Sequence, residues 1–314
     1  MTTTPTTATT TTVTALVFSG LGPHRAGTAE PRPARAAAYE RAADELLGIP
    51  LTALSRRGPD RHLADPAVGC PAAFMAGLVA LEELRARGEQ PDLVAGHSLG
   101  EYAALVAADV LHWRDALLLV RLHAELVATA GDRLPGGMAV VEGLDTAEVA
   151  RLCAGSTAAG LPVEIACENG PGHTVVSGTT AGLDRLVRAA EAAGAARVTR
   201  PAAGGPFHSP LLRDYEAEFT QALVETDFRD PRIPVVSCVT GRPVTTAAEA
   251  VVALRALLTA PVRWTDTVER LLALGAERFV EAGPAPVLAD SIRRIAPAAD
   301  LRQAGRARAA ALSA

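Results

Sequence analysis

The sequence predicts a mixed α/β protein, and three of its features lead to that prediction. An apolar, β-branched segment, Val13–Phe18, is followed at once by a loop with two glycines, which is typical of a buried strand and its turn. Strand and helix patterns then alternate, as they do around a parallel sheet. Between Gly137 and Arg200 the order becomes strand, helix, strand, strand, helix, strand, the ferredoxin-like order. We therefore expect a doubly wound large domain with an inserted small subdomain.

The first part of the large domain contains a strand that leads directly into a helix. Apolar residues at helical spacing predict a helix over Pro71–Arg87, and Pro91–Ala95 is typical of the buried strand that follows it. Two further helices are predicted over Leu99–Ala108 and Trp113–Ala130. This alternation favours a parallel sheet with helices packed on its faces.

The remaining elements divide between the insert and the end of the large domain. The insert is predicted to have strands over Met138–Val141, Val163–Ala166, Thr174–Ser177 and Ala196–Thr199, with helices over Thr146–Ala154 and Ala181–Ala193. Helices from Pro210, near Ala248–Leu258 and over Trp264–Leu274, and strands over Val235–Val239 and Arg278–Glu281, follow it. We assign 136–201 to the ferredoxin-like subdomain, 13–135 and 202–314 to the large domain, and the threonine-rich residues 1–12 to a disordered tail.

Composition narrows the classes of function. A chain of 314 residues with 49% hydrophobic residues can bury a large core without disulfides. A formal net charge of −5, with no clustered basic footprint, argues against nucleic acid as a partner. The four cysteines are scattered, which argues against a zinc site and favours the cytoplasm. The N-terminus lacks the pattern of a secretory signal, and we expect no apolar run of membrane-spanning length and no membrane partner.

The most informative motif is Gly-His-Ser-Leu-Gly at Gly96–Gly100. It stands between a predicted strand and a predicted helix, which is the setting of a nucleophile elbow. The glycines allow a sharp turn that exposes the Ser98 hydroxyl, and the Leu99 backbone N–H is free to bind a developing oxyanion. The motif therefore predicts acyl transfer through a Ser98 ester.

Serine needs a neighbouring base, and seven histidines are available. His208 has the best local setting, because Ser209 and Pro210 are the residues that cap and begin a helix. We expect the positive end of that helix to keep the imidazole neutral. A partly buried neighbour of the cap is the alternative role for His208. His97, beside the nucleophile, is assigned to shaping the turn and to the substrate pocket.

Six blocks of sequence together resemble one known family. The blocks are Phe18–Gly22, Gly96–Tyr102, Ile165–Asn169, Phe207–Pro210, Pro261–Trp264 and Glu281–Pro284. In this order, and spanning nearly the whole chain, they are similar to the malonyl-CoA:acyl carrier protein transacylases and to the acyltransferase domains of polyketide synthases. The resemblance implies an α/β-hydrolase-like large domain with a ferredoxin-like insert.

The resemblance also implies roles for individual residues. His208 would be the base of a Ser98–His208 dyad, oriented by a backbone carbonyl within Leu257–Ala260. The oxyanion hole would be formed by the backbone N–H groups of Leu99 and Leu21. No cofactor would be bound to the enzyme, since the substrates carry their own phosphopantetheine arms on acyl carrier proteins, and Asn169 would line the channel for that arm.

The departures from the family concern the acyl pocket. Counted from Ser98 without gaps, the arginine that holds a malonyl carboxylate is replaced by His123, and Arg121 lies about 200° away around the helix. At three positions where the family usually has a glutamine, this sequence has the less polar residues Leu21, Cys70 and Leu257. The tetrad linked to extender choice contains Gly205 and Phe207, and the small Gly205 is expected to open space.

These departures predict a substrate without a free carboxylate and larger than malonyl. The resulting hypothesis is a discrete acyltransferase of polyketide biosynthesis, including macrolactam pathways, that moves an aminoacyl or dipeptidyl group between acyl carrier proteins. An editing thioester hydrolase and an ordinary malonyl transacylase are the alternatives. A catalytically idle carrier-binding subunit, or an esterase whose acid is Asp145 or Asp184, rank below them.

Overall fold

The structure is a computed structural model that describes residues 12–20, 34–58, 60–201, 205–283 and 285–304. Within these ranges the chain forms two β-sheets with helices packed against them. The expected tail over residues 1–12, apart from Thr12, and the oxyanion-hole residue Leu21 lie outside the described residues.

The first sheet has six strands in the order β10-β9-β1-β2-β7-β8. Its strands are β1 (Thr14–Phe18), β2 (Leu93–Gly96), β7 (Val235–Val236), β8 (Pro243–Val244), β9 (Arg278–Ala282) and β10 (Asp300–Gln303). All neighbours are parallel except β7 and β8. Strand β1 is central and almost entirely buried, because helices cover both faces of a parallel sheet. Strand β2 lies beside it and ends at the Gly-His-Ser-Leu-Gly motif.

Helices pack around this sheet and form the larger core with it. They are α1 (Ala34–Leu47), α2 (Leu51–Arg57), α3 (Asp60–Leu63), α4 (Pro66–Ala86), α5 (Gly100–Ala107), α6 (Trp113–Arg133), α9 (Glu216–Val224), α10 (Ala247–Ala256), α11 (Trp264–Ala273) and α12 (Ala289–Ile295). Helix α4 begins earlier than predicted, at Pro66, where the Asp65 side chain caps it by accepting from the Ala67 N–H. It therefore contains Pro71 in its interior.

Helix α4 bears on the expectation that no apolar segment is long enough to span a membrane. Its 21 residues are long and apolar enough, by length and composition, to cross a bilayer. The expectation that no apolar run reaches that length was therefore wrong. However, 72% of its apolar window is buried inside the protein, as in a core helix that packs on α1, α2, α5 and α6.

The second sheet has four antiparallel strands in the order β4-β5-β3-β6. Its elements, in chain order, are β3 (Gly136–Glu142), α7 (Thr146–Ala158), β4 (Val163–Glu168), β5 (His173–Thr179), α8 (Thr180–Ala192) and β6 (Arg197–Thr199). The observed order of elements is the predicted one. Both helices pack on this sheet and enclose a second, smaller hydrophobic cluster around Val141, Val176 and Leu186.

The two sheets are joined beside the end of β4. The Val262 N–H donates to the Ala166 carbonyl at 2.8 Å, and the Glu168 N–H donates to the Val262 carbonyl at 2.9 Å. The Thr265 hydroxyl donates to the Glu168 carbonyl at 3.2 Å. These contacts fix the end of β4 against the start of α11, next to the serine motif.

Several elements differ from the prediction. Strand β7 covers only two residues of the five predicted, and Pro210–Tyr215 forms a short 3₁₀-helix before α9 begins. Helices α1, α2, α3 and α12 and strands β8 and β10 were not predicted. Most of them are short, so they present few repeats of an apolar pattern.

Candidate active site

Ser98 stands in a sharp turn between β2 and α5. Its φ of 54° is a left-handed conformation that few non-glycine residues adopt. The neighbouring glycines are required, because a Cβ on Gly96 would lie 2.0 Å from the Gly100 carbonyl carbon, and a Cβ on Gly100 would lie 2.1 Å from the Phe18 oxygen. This close contact with β1 and within the turn places the Ser98 hydroxyl at the end of the strand.

His208 meets this serine from a distant part of the chain. The Ser98 Oγ–H donates to His208 Nε2 at 2.7 Å, and the His208 Nδ1–H donates to the Leu257 carbonyl at 2.9 Å. Leu257 is the first residue of the segment in which the resemblance placed that carbonyl. The carbonyl fixes the tautomer, so Nε2 carries the lone pair that faces the serine.

Burial favours the neutral imidazole at His208. Desolvation, and next the nearby His97, lower the pKa of His208 from its ordinary 6.5 to about 4, while hydrogen bonds to the Leu257 and Ala260 backbone act in the opposite direction. The expected cause, a helix dipole, is not the main one. Ser209 does cap the next segment, since its hydroxyl accepts from the Leu211 N–H at 3.3 Å, but that segment starts as the short 3₁₀-helix.

One of the two expected oxyanion donors can be located. The Leu99 N–H follows the nucleophile directly and donates to no acceptor among the described residues. It is the donor that a nucleophile elbow offers to a tetrahedral oxyanion. The second expected donor, the N–H of Leu21, lies outside the described residues.

A small, mostly apolar pocket of about 40 Å³ adjoins Ser98 and His208. Its other lining residues are Pro66, Cys70, Leu99, His123, Val127, Phe207, Leu212, Leu257 and Leu258. Four of the predicted pocket residues, Cys70, His123, Phe207 and Leu257, are therefore here. Burial raises the pKa of the Cys70 thiol to about 12, so this cysteine is a neutral packing group and not a second nucleophile.

His123 occupies the wall of this pocket. The ring lies edge-on to Tyr102 and to Phe219, with centroids 5.9 and 5.8 Å away. Its Nδ1 is 3.0 Å from the Tyr102 hydroxyl oxygen. Burial, and next the nearby His208, lower the pKa of His123 from 6.5 to about 3. The ring is therefore uncharged at neutral pH.

Arg121 does not place a positive charge in this pocket. Its side chain is 47% exposed and forms an ion pair with Glu125, at 2.7 Å, on the outer face of α6. Of the described residues, no arginine lines the pocket beside Ser98. The wall that would face a carboxylate is therefore neutral.

Three predicted pocket residues lie elsewhere. His97 and Asn169 pair with each other, Nε2 to Oδ1 at 2.8 Å, and His97 also lies edge-on to Trp264 at 5.3 Å. This pair ties the serine turn to the end of β4 and is not part of the pocket lining. Gly205 does not open space, because a Cβ there would lie 3.1 Å from the Gly131 Cα and 3.2 Å from the Phe207 ring.

No carboxylate takes the place of the Leu257 carbonyl. Asp145 is exposed at the start of α7, and Asp184 forms an ion pair with Arg200. Both lie in the small-sheet region and neither contacts His208. Among the residues that the structure describes, no group of three His, Cys, Asp or Glu side chains could hold a metal ion.

Sequence reasoning missed two polar groups near the site. Tyr102, which is fully buried, holds His123. Glu101, also fully buried, accepts from the Cys238 N–H at 3.1 Å, and burial raises the pKa of its carboxyl to about 7. Both residues follow the serine motif directly. A polar side chain within an otherwise apolar helix was the feature of the sequence that could have indicated them.

Comparison with known proteins identifies the family. The sequence profile described as "Acyl transferase domain" matches residues 17–307. This chain belongs to the acyl transferase domain family. The match covers the second sheet, the first sheet apart from the start of β1, and every residue of the site described above.

A polyketide biosynthesis protein and a malonyl CoA-acyl carrier protein transacylase are among its relatives. The polyketide biosynthesis protein ThaF of Burkholderia thailandensis is 38% identical over 309 residues, 96% of this chain, although this chain spans only 26% of that protein. The malonyl CoA-acyl carrier protein transacylase of Bacillus subtilis is 34% identical over 253 residues, 81% of this chain and 80% of the relative.

Solved structures of acyl transferases have the same fold. An acyl-carrier-protein S-malonyltransferase from Burkholderia pseudomallei superposes with a TM-score of 0.89 at 33% identity, over 93% of this chain and 96% of its own. A malonyl-transacylase solved in complex with a type II PKS acyl-carrier protein superposes with a TM-score of 0.87 at 32% identity, over 93% and 95%.

Proposed function

We propose that this acyl transferase moves an uncharged acyl group between acyl carrier proteins through an ester on Ser98. One observation carries the proposal: the Ser98 hydroxyl donates to His208 Nε2 at 2.7 Å, while the Leu257 carbonyl holds the other ring nitrogen. Nucleophile, base and orienting group are thus assembled.

In the first half-reaction the acyl group moves from thiol to serine. As Ser98 Oγ attacks the thioester carbonyl, His208 Nε2 takes its proton, and the Leu99 N–H stabilises the oxyanion. Collapse of the tetrahedral intermediate breaks the carbon–sulfur bond, and His208 returns the proton to the departing thiolate. The products are a free thiol and a Ser98 ester.

In the second half-reaction a new thiol replaces the first one. His208 Nε2 removes its proton, the sulfur attacks the Ser98 ester, and the serine leaves with that proton. The two half-reactions form a ping-pong cycle, in which donor and acceptor use the site in turn.

The pocket supports an acyl group without a carboxylate. An ionised carboxylate that enters a mostly apolar pocket without a cation costs several kcal/mol, and the wall residue His123 is neutral. An aminoacyl or dipeptidyl group whose charge is absent or masked avoids this cost.

The relatives support the nature of the partners and the pathway. ThaF is a polyketide biosynthesis protein, and one structural neighbour is bound to an acyl-carrier protein. We propose a discrete enzyme of polyketide biosynthesis, including macrolactam pathways, that acts in the cytoplasm. Its substrates carry phosphopantetheine on acyl carrier proteins, and the enzyme holds no cofactor of its own.

The fold supports a division of the chain into two parts. We propose that 13–135 and 202–314 form an α/β-hydrolase-like domain and that 136–201 form a ferredoxin-like subdomain. The mostly parallel pairing of the first sheet and the antiparallel β4-β5-β3-β6 order of the second support this division.

Malonyl transfer from CoA is the second candidate. It is favoured by the relatives, since a malonyl CoA-acyl carrier protein transacylase is 34% identical over most of both chains. Editing hydrolysis is the third, because it uses the same Ser98 ester and differs only in that water attacks it.

A labelling experiment separates the three candidates. The protein is incubated with malonyl, acetyl, β-aminoacyl and dipeptidyl groups on CoA and on a carrier protein. The Ser98 adduct is read by intact mass, with and without a second carrier, and Ser98→Ala is the control. We expect a carboxylate-free adduct that moves to the second carrier and is absent from Ser98→Ala.

The other outcomes assign the function differently. Preferential labelling by malonyl identifies the malonyl transacylase and rejects the argument from the neutral pocket. An adduct that disappears equally fast without any acceptor identifies the editing hydrolase. Labelling that persists in Ser98→Ala rejects the acyl-enzyme.

A further inference from the structure

His123 has one ring nitrogen, Nε2, that takes no part in the proposed mechanism. The ring lines the acyl pocket, and its Nδ1 is covered by Tyr102, which is fully buried and not part of the lining. The part of the ring that faces the pocket is therefore the part that contains Nε2. No described protein group accepts or donates a hydrogen bond at Nε2.

The Tyr102 hydroxyl determines which nitrogen of His123 carries the proton. In the described part of the chain, the His123 Nδ1 is the only hydrogen-bonding partner of the Tyr102 oxygen. A buried hydroxyl that donates to nothing costs about 1–3 kcal/mol, so its proton points at Nδ1. Nδ1 is then an acceptor, and a neutral imidazole has its single N–H at Nε2.

The ring is also held in orientation. Tyr102 and Phe219 both lie edge-on to it, with interplanar angles of 86° and 87°. A rotation that moved Nδ1 away from Tyr102 would break the 3.0 Å bond. His123 is thus a donor with a fixed direction, and it lies close enough to His208 for the two rings to interact electrostatically.

We propose that His123 is a neutral hydrogen-bond donor that selects acyl groups with an uncharged carbonyl oxygen near the reacting ester, and that Tyr102 is the positioning residue that sets its tautomer. This inference rests on the proposed function, because it needs the pocket beside Ser98 to hold the acyl chain. It narrows the substrate to acyl groups that carry a keto or amide carbonyl near the reacting ester. A free ammonium would meet an N–H donor and an apolar wall, so an unmodified aminoacyl group is disfavoured.

The first test uses matched thioesters of N-acetylcysteamine. Acetoacetyl is compared with butyryl, levulinyl with valeryl, and N-acetyl-β-alanyl with β-alanyl, and the rate of Ser98 labelling is measured by intact mass. For at least one keto-acyl pair we expect about tenfold faster labelling by the carbonyl-bearing member, the size of one hydrogen bond.

Variants assign that preference to His123. His123→Phe should reduce the ratio to about one, whereas His123→Gln, which keeps an N–H donor, should retain part of it. Tyr39→Phe removes a phenol hydroxyl far from the pocket, beside Trp113, and should leave the ratio unchanged. An unchanged ratio in His123→Phe overturns the proposal while the acyl-enzyme stands.

The second test does not depend on catalysis. In protein with ¹⁵N-labelled histidine, two-bond ¹H–¹⁵N correlation spectra report which ring nitrogen carries the proton, and His123→Phe assigns the signal. We expect the proton on Nε2, and a shift of the population toward Nδ1 in Tyr102→Phe. A proton on Nδ1 in the wild type overturns the proposal for His123, whether or not any thioester labels Ser98. A failure of every thioester to label Ser98 would instead reject the proposed function.

Discussion

His208 and His123 are two buried histidines of one site whose Nδ1 atoms have different partners. At His208 the Nδ1–H donates to the Leu257 carbonyl, so Nε2 is an acceptor and can remove a proton. At His123 the Nδ1 lies beside the Tyr102 hydroxyl, so Nε2 becomes a donor. Burial keeps both rings neutral. The comparison teaches that the partner of one nitrogen decides whether the other acts as a base or as a recognition group.

Removal of the base should have the largest effect. In His208→Gln the Ser98 hydroxyl loses its proton acceptor, and general base catalysis typically contributes 10²–10⁴-fold. We expect Ser98 labelling to slow by about 10³-fold for every acyl group alike, as measured by intact mass. Tyr39→Phe, which lies beside Trp113 and away from the pocket, is the matched control and should leave labelling unchanged. Equal losses in both variants would contradict the role of His208 as the base.

A positive charge at position 123 should change the acyl preference of the site toward malonyl. His123→Arg replaces a neutral donor with a cation that can pair with a carboxylate. We expect malonyl labelling of Ser98 to rise about tenfold or more relative to butyryl. The measurement is a competition between the two thioesters, read by the mass of the adduct. His123→Gln is the uncharged control, and a malonyl preference gained by both variants would show that size, not charge, is responsible.

Low pH should destabilise the folded protein, because the folded state holds the His208 and His123 rings in their neutral form. The folded pKa values, about 4 for His208 and about 3 for His123, lie below the ordinary 6.5. The unfolded chain therefore binds more protons as the pH falls below 6.5, and stability is lost down to the folded values. Each ring contributes a slope of about 1.4 kcal/mol per pH unit in that window.

Urea unfolding between pH 7.5 and pH 4.5 checks this slope. Compared with the wild type, His123→Phe should lose the contribution of this ring and show a shallower decline with falling pH. An identical decline in the two proteins would mean that His123 is not held neutral in the folded state.

Glu101 should give the smallest effect and a pH dependence of opposite sign. Burial raises the pKa of its carboxyl from 4.5 to about 7. The free energy of unfolding therefore falls as the pH rises from 4.5 to 7, because the unfolded chain ionises this group readily and the folded state must bury the charge. Glu101→Gln keeps an oxygen for the Cys238 N–H and cannot ionise. We expect its melting temperature, relative to the wild type, to be higher by a few degrees at pH 8 than at pH 5. The reverse order would reject a buried neutral carboxyl.

The sequence by itself determined much of this protein. Strand β1, the Ser98 turn, helices α5 and α6 and the βαββαβ order all carry strong local patterns, because apolar periodicity and paired glycines leave few alternative structures. The expectation that His123 stands where the resembled family has an arginine also came from the sequence, and it stays a prediction. By contrast, β7 and β8 have only two residues each, too few to show an alternating pattern, and β7 is placed in the sheet by pairing with β2, which is distant in the chain.

Only the tertiary structure decided what the site residues do. His208 lies 110 residues from Ser98, and Leu257 lies 49 residues beyond it, so no local pattern brings the three together. The same holds for Gly205, which packs on Gly131 instead of opening the pocket. The proton position on a histidine is set by the atom facing its other nitrogen, and the fold alone chooses that atom.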